Sequence, residues 1–480
     1  MWAYFGPPTK GISQSSTCRF SAGSTSWIFL ISGLCQLGLV STQFRAELGS
    51  LSCSPKHYSL SVPLPKIPSA KGRVIDSGDQ LSKKLLVVYI FILALSMSLI
   101  PFTIDPYLPA FPAIGQFFGV ANGVVQASFT GVTVGIALGQ LLIGPLSDAF
   151  GRRPLLLLTM SGYLISTALA FFAPNIETFI ALRFFMGFFA AGGDVVARAV
   201  IRDLFRGQPM RQMLARVFLV QSLAPILGPI LGSQLTELVA WQGVFLFFAL
   251  VTLVLLLFAN AFLIETLPVA ARRSSSPLGL ARGYVNVLKD RVFIGLMFYA
   301  ALQLSALFTY LNFVPFVFQD GFGVSPTDFG VWMAINGAAS YVGVQVGAYL
   351  AKFIQGHWLL AAYSIIGVGV GVGLVLTSGT SFFWAETFFF IELFIFGAGL
   401  TVIPTIALYN HGSEAGTASS LLGVFNFTLA SLISGIYFML DSSVTADLGV
   451  LIGLLFGGSF VTLIFISRPW ELPDLRKADV

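Results

Sequence analysis

Charged side chains are scarce in this chain of 480 residues: only 10% are Asp, Glu, Lys or Arg, whereas 56% are hydrophobic. So few charges cannot cover the apolar surface that a water-soluble fold of this size would expose. The composition therefore indicates a protein whose solvent is a lipid bilayer. The formal net charge of +5 does not favour nucleic-acid binding, because the basic residues lie in short loops between apolar stretches rather than in one patch.

Residues and motifs typical of catalytic or metal-binding sites are also few. Cys18, Cys35 and Cys53 all precede residue 80, so the apolar body has no disulfide framework and no thiolate metal site. The sequence contains no H-E-x-x-H, no G-x-S-x-G and no phosphate-binding glycine loop ahead of a lysine. We therefore expect a protein that is not an enzyme, with no catalytic residues, no metal and no cofactor.

Residues 1–84 are rich in Ser, Pro and basic residues and predict an unstructured N-terminal arm. Within them, residues 27–40 are apolar but span only about 21 Å as a helix, which is too short for an ordinary membrane span. Three interpretations stay open: a non-native or mis-called extension, a genuine cytoplasmic arm, and a signal peptide or extra helix. We expect residues 1 to about 80 to be dispensable for insertion and transport, because they carry no span and no motif.

Twelve apolar stretches of span length follow, in two blocks of six. A polar, basic linker at 265–290 separates an N-terminal bundle at 85–264 from a C-terminal bundle at 291–467, and a tail follows at 468–480. Such a repeat is typical of transporters whose two bundles rock about a site at the membrane midplane. The predicted spans are 85–110, 124–145, 154–173, 177–200, 213–236, 242–264, 291–318, 328–350, 358–377, 382–409, 415–440 and 446–467.

The basic residues predict the orientation. Of the 26 Lys and Arg residues, seven precede residue 80 and two lie within the fourth predicted span; the other 17 all lie on one set of alternate loops. Cytoplasmic loops carry the excess of Lys and Arg. We therefore expect a multi-pass protein of the cytoplasmic (inner) membrane with both termini in the cytoplasm.

The loop after the second span carries a motif. It reads Gly144-Pro-Leu-Ser-Asp148-Ala-Phe-Gly151-Arg152-Arg153 and resembles motif A of the major facilitator superfamily, G-x-x-x-D-x-x-G-R-[RK]. The resemblance implies an all-α membrane fold of twelve helices in two six-helix bundles. It also implies a conformational latch, in which Asp148 caps the eleventh helix and Arg152 pairs with Asp203 at the end of the fourth, holding the outward-facing state.

A narrower resemblance is to the bicyclomycin-resistance (Bcr/CflA) branch of drug:proton antiporters, over about residues 85–470. It rests on Ile104-Asp-Pro-Tyr-Leu-Pro-Ala-Phe-Pro112, on Glu265-Thr-Leu-Pro268 and on related stretches of spans 4, 6 and 11. It implies proton-coupled export of amphipathic, drug-like molecules. Span 5 adds a sequence similar to the family's antiporter motif, although small residues and prolines at this spacing equally describe a packing stripe with a kink; its residues are Pro225, Gly228, Pro229 and Gly232.

Ionisable residues within the predicted spans are candidates for proton coupling, because a charge in hydrocarbon is costly and usually functional or paired. Asp105 and Arg183 lie at similar depth, and Arg183 matches a buried arginine of the family. Asp194 shares a helix face with Arg183, but an i,i+4 ion pair with Arg198 is the favoured alternative. Glu392 lies near the midplane, as a second proton site, a contact for a cationic substrate or a protonated packing residue.

We expect Asp105 to be the main coupling carboxylate, with Arg183 within about 4 to 6 Å tuning it by favouring its charged form. The rival interpretation is structural: in Asp105-Pro106-Tyr-Leu-Pro109 the acid satisfies backbone groups that the prolines free. Proton release on substrate binding distinguishes the two.

Aromatic and amide side chains predict the substrate cavity, since they satisfy polar groups of a ligand within an apolar wall. The expected partners are a small-molecule substrate, protons and the bilayer, with the chain as a monomer and no nucleic acid. The alternative function is a carrier that exports or imports a metabolite such as an amino acid or sugar. The cavity candidates are Tyr107, Gln221, Gln303, Tyr310, Asn312, Asn336, Gln345 and Asn426.

Overall fold

A computed structural model describes residues 77–78, 81–272, 284–409, 415–438 and 445–471. These residues are overwhelmingly helical and include no β-strand. The predicted arm, apart from its last few residues, lies outside the described residues. So do 273–283 of the linker and 472–480 of the tail.

The first six spans form the N half. Span 1 is broken: Lys83–Met97 and Leu99–Ile104 are α-helical, Asp105–Ala110 is a 3-10 helix, and α-helix resumes at Phe111–Phe118. Its two arms meet at 44°, and it is longer than the predicted 85–110. The other helices are Asn122–Phe150 (span 2), Arg152–Phe171 (span 3), Ile176–Leu204 (span 4), Gly207–Gln221 with Ala224–Val239 (span 5) and Gln242–Phe262 (span 6).

The last six spans form the C half. Span 7 ends in a π-helical turn, Phe316–Gly321, and span 12 in another, Thr462–Ser467. The α-helices are Arg291–Pro315 (span 7), Pro326–Leu350 (span 8), Gly356–Leu376 (span 9), Phe382–Ala407 (span 10), Ala415–Phe438 (span 11) and Thr445–Val461 (span 12).

Length and apolarity mark most of these helices as membrane spans. Ten described helices pass both criteria alone, and the bent span 1 makes eleven. Span 8 is long enough at 25 residues but too rich in glycine, alanine and polar residues to be as apolar as the rest. The predicted all-α fold of two six-helix bundles is confirmed.

Prolines explain the break in span 1. Pro101 has no N–H, so the carbonyl of Met97 loses its helical donor, and the side-chain amide of Gln221 in span 5 donates to that carbonyl at 3.2 Å. Pro106 and Pro109 follow within the 3-10 segment. The broken helix is thus stabilised by a side chain from its neighbour.

Large apolar side chains cover the outer surface. Span 6 exposes a row of them along one face, including Leu246, Leu250, Leu253 and Leu257. An apolar surface of this extent is covered by lipid in a membrane protein. The chain is therefore a multi-pass membrane protein.

The two ends of the bundle differ in charge. We call the end with Arg152, Arg202 and Lys352 the basic end, and the end with Glu237 and Asp320 the acidic end. Hydrogen bonds join the N and C halves on the acidic side of the molecule and close the space between them there. They are Asn122 to Asp320 (3.2 Å), Gln319 to the Pro109 carbonyl (3.2 Å), Thr327 to Glu237 (2.6 Å), Gln126 to the Asn312 carbonyl (3.3 Å) and Ser431 to Thr133 (2.7 Å).

Candidate functional site

Arg183 lies in the centre of the N half and is completely buried. Its Nη1 donates to the carbonyl of Thr103 at 2.9 Å, at the end of the α-helical part of span 1. Its guanidinium carbon lies 4.0 Å from the ring centroid of Tyr107 and 5.7 Å from that of Phe245. The charge is therefore stabilised by a carbonyl and by aromatic faces, a cation–π arrangement that is strongest when desolvated.

Asp105 is buried at the first position of the 3-10 segment. The expected ion pair with Arg183 is wrong for this structure, because no ion pair of Asp105 is found among the described residues. The reason is rotation about the helix axis. Arg183 faces Tyr107 and span 6, whereas Asp105 lies against span 5: its Cβ is 3.0 Å from the point that a Cβ on Gly228 would occupy.

The antiporter-motif residues lie between the N and C halves. On one side of span 5, Gly232 touches the Pro106 carbonyl so closely that any side chain would overlap it. On the other side, the carbonyls of Pro225 and Pro229 lie against Gly337 and Gly330 of span 8. Span 5 therefore contacts the Asp105-Pro106 segment and the C half at once.

Asp194 forms the favoured local pair. Its Oδ1 is 2.9 Å from Nη2 of Arg198, one turn along span 4. The predicted i,i+4 ion pair is confirmed. In this structure the charge of the Asp194 carboxylate is therefore balanced by Arg198.

The motif-A loop forms a compact ionic network at the basic end. Nε of Arg152 lies 2.8 Å from Oδ2 of Asp203, so the pair that the resemblance implies is present. Nη1 of Arg152 is also 2.5 Å from Oδ1 of Asp148. Gly151 has φ of +102°, a conformation that favours glycine. The contact of Asp148 with the start of span 11 lies outside the described residues.

Glu265 and Thr266, which follow span 6, complete this network, and sequence reasoning gave them no role in it. Oε1 of Glu265 accepts from the backbone N–H of Arg152 at 3.0 Å, at the N-terminus of span 3, where a carboxylate is favoured. Thr266 donates to Asp203 at 3.2 Å. Arg153 donates to the Leu263 carbonyl at 2.8 Å. Gly144 of the motif lies farther up span 2, near Val195.

A cleft of about 530 Å³ borders the network at the basic end. Arg202, Asp203 and Arg206 line it together with Thr266. Its walls come from the end of span 4, the start of span 5 and the start of the linker, so it lies within the N half and apart from the space between the halves.

A second buried polar cluster lies in the C half. Glu392 of span 10 is 1% exposed, and neither carboxyl oxygen has a hydrogen-bond partner among the described residues. Nδ2 of Asn336 donates to Oη of Tyr310 at 2.9 Å and to Oε2 of Glu386 at 3.2 Å. Glu386 lies within the predicted span 382–409. Because it is close to the span end, it was not counted among the ionisable residues of the hydrocarbon region.

The predicted cavity residues divide into two groups. Tyr107 is buried inside the N half beside Arg183, where its hydroxyl meets Ser128. Gln303 donates to Ser459 of span 12 at 3.1 Å and so faces away from the N half. These two predictions are wrong in this structure, because each side chain finds its partner inside its own half. Gln221 is held by Met97, as described above.

Tyr310 and Asn336 belong to the buried cluster of the C half described above, whereas Asn312 contacts the N half. The carbonyl of Asn312 accepts from span 2, and its amide donates to Ser434 at 2.9 Å. Asn426 is half-buried, and its Oδ1 has no partner among the described residues. Gln345 is exposed.

Comparison with known proteins decides the family. Residues 86–439 match the family model of the Major Facilitator Superfamily. The chain belongs to the major facilitator superfamily. The predicted resemblance is thereby confirmed, and both family and fold are those of transporters.

Relatives within the superfamily include proteins that are named for drug resistance. The chain is 33% identical to an uncharacterized MFS-type transporter, YdgK, of Bacillus subtilis (72% of this chain, 87% of the relative). It is 29% identical to a bicyclomycin resistance protein homolog of Haemophilus influenzae (72% and 88%). It is 26% identical to the multidrug resistance protein MdtL of Salmonella heidelberg (77% and 91%).

Solved structures of the superfamily share the fold. A bacterial homolog of the human lysosomal transporter Spinster gives a TM-score of 0.63 at 15% identity, covering 81% of this chain and 96% of that one. The human organic anion transporter MFSD10 gives 0.56 at 22% identity, covering 80% and 100%.

Proposed function

We propose that this major facilitator is a proton-coupled antiporter that exports amphipathic, drug-like small molecules across the cytoplasmic membrane. The observation that carries the proposal is the position of Asp105, a buried acid without an ion-pair partner among the described residues, against Gly228 of span 5. The opposite side of span 5 touches the C half. Gain or loss of a proton on Asp105 therefore acts on a helix that contacts both halves.

The proposed orientation places the basic end and both termini in the cytoplasm. The distribution of 17 Lys and Arg residues on alternate loops supports it. With the acidic end outside, the hydrogen bonds that close that end support an inward-facing arrangement. The network around Arg152 then lies at the cytoplasmic end of the N half.

The proposed substrate class follows from the space between the halves and from the relatives. Asn426 offers an amide oxygen without a partner among the described residues, so a polar group of a ligand can be satisfied without fixing its charge. Relatives are named for bicyclomycin and multidrug resistance. We propose that the chain works as a monomer, binds protons and substrate, and binds no nucleic acid.

A drug-susceptibility screen tests the function. The wild type, Asp105→Asn and the control Glu177→Gln, which changes an exposed acid at the acidic end, are expressed in a bacterial host that lacks its own pumps. The wild type and Glu177→Gln should raise resistance to at least one class of amphipathic antibiotic, and Asp105→Asn should not. Lack of protection combined with altered accumulation of labelled amino acids or sugars would instead favour a metabolite carrier.

A further inference from the structure

The cluster formed by Tyr310, Asn336, Glu386 and Glu392 has more acceptors than donors. All four side chains are at least 94% buried. Oε1 of Glu386, both oxygens of Glu392 and Oδ1 of Asn336 have no hydrogen-bond partner among the described residues. The donors present are already used: the Asn336 amide serves Tyr310 and Glu386, and Tyr310 donates to Sδ of Met333 at 3.1 Å.

In the part of the chain that the structure describes, neither acid forms an ion pair. Span 7 contributes Tyr310 and span 8 contributes the neutral Asn336, while span 9 contains no Asp, Glu, Lys or Arg within Gly356–Leu376. Across the boundary between the halves, Asp105 lies within electrostatic range of Tyr310, as do Glu386 and Glu392. Every ionisable neighbour among the described residues is thus an acid or a phenol, and a carboxylate buried without a cation and with at most one hydrogen-bond donor is very costly. The neutral acid removes that cost, since its O–H becomes the missing donor.

The two acids lie at successive depths from the acidic end. Span 10 begins at Phe382, so Glu386 is about 6 Å and Glu392 about 15 Å along the helix. The second depth is close to the middle of a hydrocarbon core of about 30 Å. Gly337, next to Asn336, packs against the Pro225 carbonyl of span 5. The cluster therefore lies just behind the contact that must open when the halves part at the acidic end.

We propose that Glu386, positioned by Asn336, is a second proton-binding site, separate from Asp105, and that it takes its proton from the aqueous phase at the acidic end. Uptake forms one O–H bond on the Glu386 carboxylate and converts one hydronium ion to water; no other bond changes. Glu392 is the next acceptor towards the membrane centre. The role of this proton in export rests on the proposed function, whereas its presence on Glu386 does not.

Infrared spectroscopy of the purified full-length protein in lipid nanodiscs tests the site without substrate. The wild type at neutral pH should show the C=O stretch of protonated carboxyl groups. In Glu386→Gln, this band should lose the intensity that one protonated carboxyl group contributes. In Glu177→Gln, its intensity should be unchanged. Asn336→Ala should keep the intensity but shift the frequency, because it removes the 3.2 Å hydrogen bond to Oε2; this variant also serves if Glu386→Gln fails to fold.

An unchanged band in Glu386→Gln, together with an unshifted band in Asn336→Ala, would overturn the proposal. A second probe separates protons from organic cations: tetraphenylphosphonium binding at constant pH should be reduced less than twofold by Glu386→Gln. A tenfold loss of that binding with no loss of the band would assign the site to a cationic substrate and also contradict the proposal. If the band behaves as expected but no drug is exported, only the proposed function fails.

Discussion

Arg183 contacts the Tyr107 ring and the Thr103 carbonyl rather than Asp105. Its depth suggested Asp105 as partner, but side chains on neighbouring helices meet only if both rotate towards the same interface. Here close packing of span 5 on Pro106 turns Asp105 away from it. The pair of Asp194 and Arg198 was predictable, because helix geometry alone brings residues i and i+4 together.

Replacing Arg183 with Lys should destabilise the protein although the charge is kept. An ammonium group cannot stack on the Tyr107 ring as the planar guanidinium does at 4.0 Å. We expect a loss of about 1–2 kcal/mol, the usual size of a desolvated cation–π contact. Thermal unfolding of the purified protein measures it, with Arg198→Lys as control, since Arg198 is half exposed and should tolerate the change within about 0.5 kcal/mol. Equal melting temperatures for the two variants would contradict this account of Arg183.

Asp105→Asn should abolish substrate-induced proton release while substrate binding is retained. The amide has nearly the shape of the acid, so the contact with Gly228 survives, but it cannot exchange a proton. A pH indicator dye in weakly buffered detergent solution measures the release, and ligand-induced fluorescence quenching measures the binding. Normal proton release from the variant would move the coupling site elsewhere in the protein.

At the scale of elements, span 5 makes a close backbone contact on each of two faces, one with the Pro106 segment of span 1 and one with span 8. The sequence predicted its small-residue stripe and its prolines, yet it did not show which neighbours the two faces touch. Gly232 and Gly337 reveal this, since each meets backbone of a different helix. Small residues at such crossings permit the backbones to approach.

Gly232→Ala should therefore be poorly tolerated. Its Cβ would overlap the backbone carbonyl of Pro106, which cannot move aside as a flexible side chain would. Overpacking of this kind costs about 1–3 kcal/mol. Gly369→Ala in span 9 is the matched control, because nothing lies within 4 Å of the added methyl group. Thermal stability and yield in the membrane should fall for the first variant only.

Two carboxylates bind Arg152 at the basic end, and we expect their replacement to impair transport to different degrees. Asp148 is 40% exposed in its side chain and Asp203 only 18%, and both bind Arg152. Asp203→Asn should thus impair transport more than Asp148→Asn, because the more buried carboxylate leaves Arg152 less well compensated. Both variants should remain folded and inserted. Transport rates normalised to the amount of protein in the membrane decide it, and a larger defect in Asp148→Asn would contradict the ranking.

At the scale of the whole molecule, hydrophobic patterning was enough to predict two bundles of six helices. Bilayer thickness fixes the length of each stretch, and the lipid surface requires apolar side chains such as Leu250 and Leu257. Patterning could not predict the break at Asp105–Ala110 or the inward-turned Gln303. Both depend on partners from other helices, Gln221 and Ser459, which no local pattern identifies.

The central claim is that a proton gradient drives export, and flux in everted membrane vesicles tests it most directly. An imposed gradient, acidic inside, should drive accumulation of an amphipathic drug found in the susceptibility screen, and nigericin, which dissipates the gradient, should abolish it. Vesicles with Asp105→Asn should show no gradient-dependent uptake, while Glu177→Gln should match the wild type. Accumulation that persists without a pH gradient, or that Asp105→Asn leaves intact, would contradict the account.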